Sequence, residues 1–410
     1  MNVHQRIPLF LRFILLRSII FGILIASQLY LFVRGDRALR LSPWSPRRKT
    51  LLRLVLSGFF VSTLIIYVAF LSQWAPLEHP SPLILYTLIY PTAIWSFGSL
   101  FSSLLLLLAN LSGYGVRWFR SRVGSQANAS APPLDPSRRI FMQTSLGALA
   151  AAPILISGYG ASYASSGGEI EEVHLSLGST HPFDRPLKVV QISDIHSGLF
   201  MTPARMRQSV EAIRQLEPDL FLMTGDFISN SPADLPPCIK ELARVKSRYG
   251  SFAVLGNHEH WYGEIEQIIA AFEGAGISML HNAHRVVETD RGSIAVAGID
   301  DLRVGRPDLG RALNGLNPTL PTLLLSHRPE IFPQAAARNI GLTLSGHYHG
   351  GQVKVSALGL SVSLAHLLSS YPEGLYRLGK SHLYVNRGLG TTGTPVRVNA
   401  SPEITLFHLT

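Results

Sequence analysis

The chain has 410 residues, enough for more than one domain, and a formal net charge of +10. Of its 36 Lys+Arg and 26 Asp+Glu, 15 and 3 fall in Met1–Gly168, leaving 21 against 23 for the remainder. The C-terminal part therefore lacks the cationic surplus that a nucleic-acid partner requires, and the single cysteine, Cys238, excludes an intramolecular disulfide.

Three apolar stretches come first, at roughly Leu9–Val33, Leu54–Trp74 and Leu83–Leu111. Each reaches the ~20 residues needed to cross a bilayer as a helix. The sequence thus predicts three spans within residues 1–120, with Arg12 and Arg17 snorkelling near the start of the first and Pro91 kinking or delaying the third. The stretch Arg34–Arg53 is Arg-rich, Ala75–Pro82 has no Lys or Arg, and Arg117, Arg120, Arg122, Arg138 and Arg139 follow the third span. The positive-inside bias puts both Arg-rich stretches in the cytoplasm and the short loop outside. Residues 121–139 read as a cytoplasmic linker, with Gln126–Pro136 polar and Arg138-Arg139 closing it. The paired arginines before the apolar run 140–165 resemble a twin-arginine export signal, here internal, and Ser162-Tyr163-Ala164 offers small residues for cleavage. An ordinary fourth helix is the alternative. Either reading makes the protein multi-pass in the cytoplasmic membrane with residues 169–410 extracytoplasmic.

From Glu169 the pattern changes to short apolar runs alternating with helical stretches. Strands are expected at Leu187–Ile192, Leu220–Thr224, Ser251–Leu255, Ile294–Gly298, Thr322–Leu325 and Gly341–Leu344, and helices near Pro203–Leu216, Ala233–Lys246 and Glu264–Ala275. Such alternation predicts an α/β core with its site at the strand ends. Five runs end within two residues of an Asp, Asn or His: Asp194 and His196, Asp226, Asn257 and His258, His327, and His347 and His349. One such residue commonly caps a turn; five sets together, including Asp-x-His and Gly-His-x-His, call for a shared chemistry. Two divalent cations about 3.5–4 Å apart, held by N and O ligands with one shared carboxylate, supply it by activating water and clamping a phosphoryl group. With no thiolate available, the ligand set suits Mn, Fe, Zn, Ni or Co alike. Gly388 to Gly393 matches G-x-G-x-x-G, but Pro395 stands where a helix should begin, so no dinucleotide site is expected.

These blocks resemble the calcineurin-like metallophosphoesterase superfamily, whose order is D-x-H, G-D, G-N-H-[DE], H and G-H-x-H. Within it, the stretches around Asp194, His347 and Asn386–Phe407 look like the bacterial membrane-anchored or exported branch. The resemblance implies a four-layer α/β/β/α sandwich and phosphoester hydrolysis by a metal-bridging hydroxide. Carried over by position, it makes Asp194, His196 and His349 ligands of one metal, Asp226 the bridge, and Asn257, His327 and His347 ligands of the second. His258 becomes the acid beside the phosphate. Ser229 departs from the pattern, standing where many relatives have an Asp. The tether beside a bilayer favours a lipid-linked phosphoester, with hydrolysis of UDP-diacylglucosamine, known within the superfamily, as the named alternative. A phosphate sensor without catalysis is the alternative of another class.

Overall fold

The computed structural model describes residues 3–72, 80–122, 136–165, 167–177, 186–290, 292–357 and 360–410. The described residues form two compact units, Met1–Tyr159 and Gly160–Thr410.

The first unit is helical: α1 (Val3–Leu41), α2 (Pro46–Leu71), α3 (Pro82–Ile84), α4 (Tyr90–Arg122) and most of α5 (Pro136–Tyr163). Four stretches among the described residues are long and apolar enough to cross a membrane: Ser18–Leu41, Pro46–Leu71, Pro82–Val116 and Thr144–Tyr163. The Arg-rich stretch from Arg34 to Arg53 is mostly helix, with only Ser42–Ser45 between α1 and α2. Arginine is a good helix former, and Asp36 ties the two helices by accepting from Arg40 at 2.7 Å and from Arg53 at 2.5 Å. A π-helical turn, Leu85–Ile89, precedes α4, just ahead of Pro91, whose missing N–H cannot continue a regular ladder. The polar linker from Gln126, and most of the short loop before Pro82, lie outside the described residues.

Among the described residues the second unit contains all the strands: β1 (Glu169–Leu175), β2 (Leu187–Ile192), β3 (Leu220–Met223), β4 (Ser251–Ala253), β5 (Ile277–Met279), β6 (Ala283–Thr289), β7 (Gly292–Gly298), β8 (Thr322–Leu325), β9 (Leu342–Ser345), β10 (Lys354–Ala357), β11 (Leu360–Ser363), β12 (Gly374–Leu378), β13 (Ser381–Val385) and β14 (Glu403–Leu409). Its helices are α6 (Pro203–Gln215), α7 (Leu235–Leu242), α8 (Asn257–Tyr262), α9 (Ile265–Gly274), α10 (Leu309–Ala312), α11 (Phe332–Ala336) and α12 (Leu364–Leu368).

Two six-stranded sheets form, in the orders β1-β14-β2-β3-β4-β5 and β12-β13-β9-β8-β7-β6. Within them β2 through β5 are parallel, as are β7, β8, β9 and β13, so the chain leaves each of these strands at the same edge of its sheet. Leu187, Val189, Leu222, Val296, Leu323 and Phe407 fill the space between the sheets. Met206, Val210, Ile239 and Phe272 pack α6, α7 and α9 on the outer face of the first sheet. Leu309, Ile331 and Ala335 do the same for α10 and α11 on the second. The result is the α/β/β/α sandwich. Continuous apolar runs such as Leu220–Met223 and Thr322–Leu325 are buried on both faces, as strands flanked by a helix layer and a second sheet must be.

Candidate metal centre

Each predicted residue sits just past a buried strand: Asp194 and His196 after β2, Asp226 after β3, Asn257 and His258 after β4, His327 after β8, His347 and His349 after β9. Neighbouring parallel strands deliver these ends to one edge, which gathers all eight residues into a single buried cluster.

Asp226 lies at its centre. Its Oδ2 is 3.3 Å from Nε2 of His327, 3.7 Å from Nε2 of His196 and 4.0 Å from Nε2 of His258. Its Oδ1 accepts the backbone N–H of His258 at 2.9 Å. On one side, Nε2 of His196 and Nε2 of His349 are 3.1 Å apart, with Oδ1 of Asp194 3.3 Å from His349. On the other, Nε2 of His327 and Nδ1 of His347 are 3.1 Å apart. Asp194, His196 and His349 form one group able to hold a cation, and Asp226, His327 and His347 form another.

The donor set fits such ions. Oδ1 of Asp194 is buried without a hydrogen-bond partner, which would be costly unless a positive charge meets it. Burial would raise both aspartates, yet His349 holds Asp194 below the usual carboxylate range and His327 with His258 hold Asp226 well below it. Burial works the other way on His327, but the Asp226 carboxylate pushes it up to about 10. The proton His327 keeps against Asp226 is the charge a cation would replace. Burial and His258 drag His196 down to about 3, and burial with His327 and Arg328 brings His347 to about 2, so both rings are neutral and able to ligate.

The backbone is bent to reach this arrangement. Asp194, His196, Asp226, His347 and His349 all have φ between 49° and 75°, a left-handed conformation that costs a non-glycine residue about 1–2 kcal/mol. Gly225 and Gly256 let two strand ends cross: a Cβ on Gly256 would lie 2.2 Å from Oδ1 of Asp226.

Several participants lie outside the predicted site residues, although Glu259 fills the last place of the G-N-H-[DE] block. Glu259 is fully buried and accepts the backbone N–H groups of Gly256, Asp226, Phe227 and Ile228 at 2.8 to 3.3 Å, fixing the loop that carries Asp226. Arg328 donates to Oδ2 of Asp301 at 2.8 Å and to Oδ1 of Asn257 at 2.9 Å, and its Nη1 lies 2.5 Å from Nε2 of His347. It thereby bridges Asn257 and His347. The loop after β13, set aside as a nucleotide motif, packs on the centre instead. A Cβ on Gly388 would lie 2.7 Å from Cβ of Asp194, and Thr392 Oγ1 is 3.1 and 3.0 Å from Nε2 of His196 and His349.

The departure at Ser229 is absorbed by the main chain, whose carbonyl oxygen lies 2.6 Å from Nδ1 of His258 and so orients that ring whatever the side chain. His260, which the sequence leaves as a substrate contact or an exposed loop residue, is on α8 and paired with Oδ1 of Asp300 at 2.6 Å.

Residues 187–351 match the model of the calcineurin-like phosphoesterase family. A Bacillus subtilis (strain 168) protein named uncharacterized metallophosphoesterase YkuE is 33% identical over 280 residues, covering 67% of this chain and 97% of its own length. The Danio rerio transmembrane protein with metallophosphoesterase domain is 30% identical over 314 residues, 73% of this chain and 68% of that protein. An uncharacterized metallophosphoesterase of Campylobacter jejuni is 33% identical over 231 residues, 55% of this chain and 59% of that one. With its four apolar helices the chain is a membrane protein, and it belongs to the calcineurin-like phosphoesterase family as a metal-dependent phosphoester hydrolase.

Proposed function

We propose that the chain hydrolyses phosphomonoesters, phosphodiesters or pyrophosphates with two divalent ions, at the outer face of the cytoplasmic membrane. The observation that carries this reading is the position of Asp226 Oδ2, between His196 on one side and His327 on the other. Asp194, His196 and His349 would hold one ion, Asn257, His327 and His347 the other, and Asp226 both. When bound, such a pair supplies Lewis-acid polarisation of the phosphoryl oxygens and an activated water.

The chain's own residues do the rest. His258 would pass a proton first taken up at Nε2 to the leaving oxygen, its Nδ1–H being committed to the Ser229 carbonyl. Arg328 would add a fixed positive charge beside the phosphoryl group, its guanidinium braced by Asp301. Glu259, Arg397 and the Gly388–Thr392 loop hold ligands in place and keep bulk water from the buried side. Among substrates, a lipid-linked phosphoester or pyrophosphate suits a site tethered beside a bilayer. The extracytoplasmic placement is supported by the Arg-rich stretches on either side of the second and third spans.

The test is a panel of aryl phosphomonoesters, phosphodiesters and pyrophosphates, run on the full chain in detergent with Mn, Fe, Zn, Ni or Co added after chelation. Turnover should return with metal in the wild type and stay absent in Asp226→Asn, whose metal content should fall at both sites. Asp226→Asn turning over at the wild-type rate would sink the shared-carboxylate reading. The loss should exceed the roughly 10–100-fold typical of removing an outer hydrogen-bond partner.

A further inference from the structure

The antiparallel ribbon β10–β11 belongs to neither large sheet, and α12 follows it directly. A two-stranded ribbon alone buries too little to be stable, yet this one presents Val355 and Val362 outward. Val355 and Val362, paired across the ribbon, are 68% and 51% exposed, and Leu364, Leu367 and Leu368 of α12 are 64%, 76% and 63% exposed. Of α12 only Ala365 is buried. From Gln352 to Pro372 there is no Asp or Glu and one Lys, Lys354, which is paired with Glu373.

The position of this surface indicates what covers it. It begins three residues after His349, and its base is stitched to the segment Val396–Val398: Lys354 donates to the carbonyl of Val398 at 2.9 Å, and Val398 donates to that of Gln352 at 2.8 Å. The neighbouring Arg397 N–H donates to the carbonyl of Gly160 at 3.1 Å. Gly160 lies in the last turn of the apolar stretch Thr144–Tyr163, with its backbone so close that a Cβ would meet the Arg397 carbonyl at 2.8 Å. Arg397 is itself fully buried, and its Nη2 reaches to 3.2 Å of Nδ1 of His349. The point where the chain leaves the fourth apolar stretch, the base of the ribbon and one end of the metal centre therefore share three consecutive residues.

We infer that the β10–β11 ribbon and α12 lie in the headgroup boundary of the bilayer that holds this chain's own spans, beside the His349 end of the metal centre. An apolar, acid-free, partly helical surface is the composition that enters that boundary. A soluble protein partner would not need the surface to start where a span ends. The docking rests on the geometry above; only its effect on turnover rests on the hydrolase reading.

The test uses the full chain in phosphatidylcholine–phosphatidylglycerol vesicles, with an environment-sensitive thiol label on Leu367→Cys and, as control, on Lys380→Cys. Lys380 is exposed in the turn before β13, at the opposite end of that strand from Gly388. Cys238 is fully buried and does not compete for label. Lipids carrying a nitroxide high on the acyl chain should quench the label at 367 by about twofold or more over that at 380; equal quenching overturns the docking.

In the activity arm, Leu364→Glu/Leu367→Glu should keep turnover of a water-soluble aryl phosphodiester and lose about tenfold or more on a phosphoester lipid presented in the same vesicles. Equal loss on both substrates, with metal content unchanged, argues against the docking. Absence of all phosphoesterase activity alongside strong quenching would refute the hydrolase reading and leave the docking standing.

Discussion

Oε2 of Glu259 accepts the backbone N–H of Asp226 at 3.0 Å, so a buried carboxylate holds the main chain of the residue whose own carboxylate is central to the site. Burial, and the charge of Asp226 next to it, raise Glu259 above its ordinary value, while the donated N–H groups keep the anion affordable. Replacing it with Ala leaves four buried N–H groups with no acceptor. Glu259→Ala should cost roughly 3–5 kcal/mol and lower metal retention, whereas Glu259→Gln, which keeps an acceptor, should cost less. Thermal unfolding followed by tryptophan fluorescence checks this, and equal melting points for the two variants would contradict the bracing role.

His258→Ala should leave metal content unchanged and slow turnover by about 10²–10⁴-fold, most for substrates with poor leaving groups. The separation from Asp226 argues for this division of labour: His258 Nε2 stands 4.0 Å from Oδ2, farther than either His327 or His196. Elemental analysis next to a leaving-group series decides it. Metal loss in the variant would reassign His258 as a ligand.

The His260–Asp300 pair should give the catalytic unit a pH-dependent stability. Burial opposes both shifts, but the hydrogen bond between them raises His260, and His260, His281 and the Arg306 N–H together depress Asp300. A raised histidine stabilises fully below its unfolded value of 6.5 and loses that contribution as pH rises through the folded value. A depressed aspartate stabilises above its unfolded value of 3.8 and loses that contribution as pH falls through the folded value. The pair is therefore at full strength between those two unfolded values. His260→Ala should lower the melting temperature most between the two unfolded values, 3.8 and 6.5, and progressively less as pH rises above them; a pH-independent difference would show the pair to be neutral.

Topology decides which substrates the site meets. Alkaline phosphatase fused after Thr410 should be active and a green fluorescent reporter at the same place dark, in keeping with the Arg-rich segments flanking the second and third spans. Fluorescence with inactive phosphatase would place the domain in the cytoplasm.

Much of the sandwich was legible because its central strands are uninterrupted apolar runs: Leu187–Ile192 and Thr322–Leu325 are strands at the predicted limits. The outer strands were not. Ala283–Thr289 and Gly374–Leu378 are mostly exposed or half-buried without regular alternation and mix charge with apolar character, so their periodicity is faint. At the centre, strand-end position and residue type singled out the side chains that converge. They could not single out Arg328, whose role depends on a partner 71 residues away, and they left Glu259 an unassigned place in the G-N-H-[DE] block because the loop it braces lies 33 residues away. Thr392 stayed hidden because a glycine-rich loop reads as a turn until its close approach to Asp194 is seen.

The left-handed backbone of Asp194, His196, Asp226, His347 and His349 means that alanine is a poor eraser at these positions. It deletes a donor atom and also imposes a conformation that alanine disfavours, so the measured loss mixes two causes. Glycine deletes the donor while easing the backbone, and asparagine keeps a short polar side chain that tolerates the same φ. The gap between the alanine and glycine variants at one position, after allowance for glycine's looser unfolded chain, isolates what the main chain spends to aim its ligand. Summed over the five positions, that gap measures how much folding energy is diverted into holding the centre ready before any ion arrives.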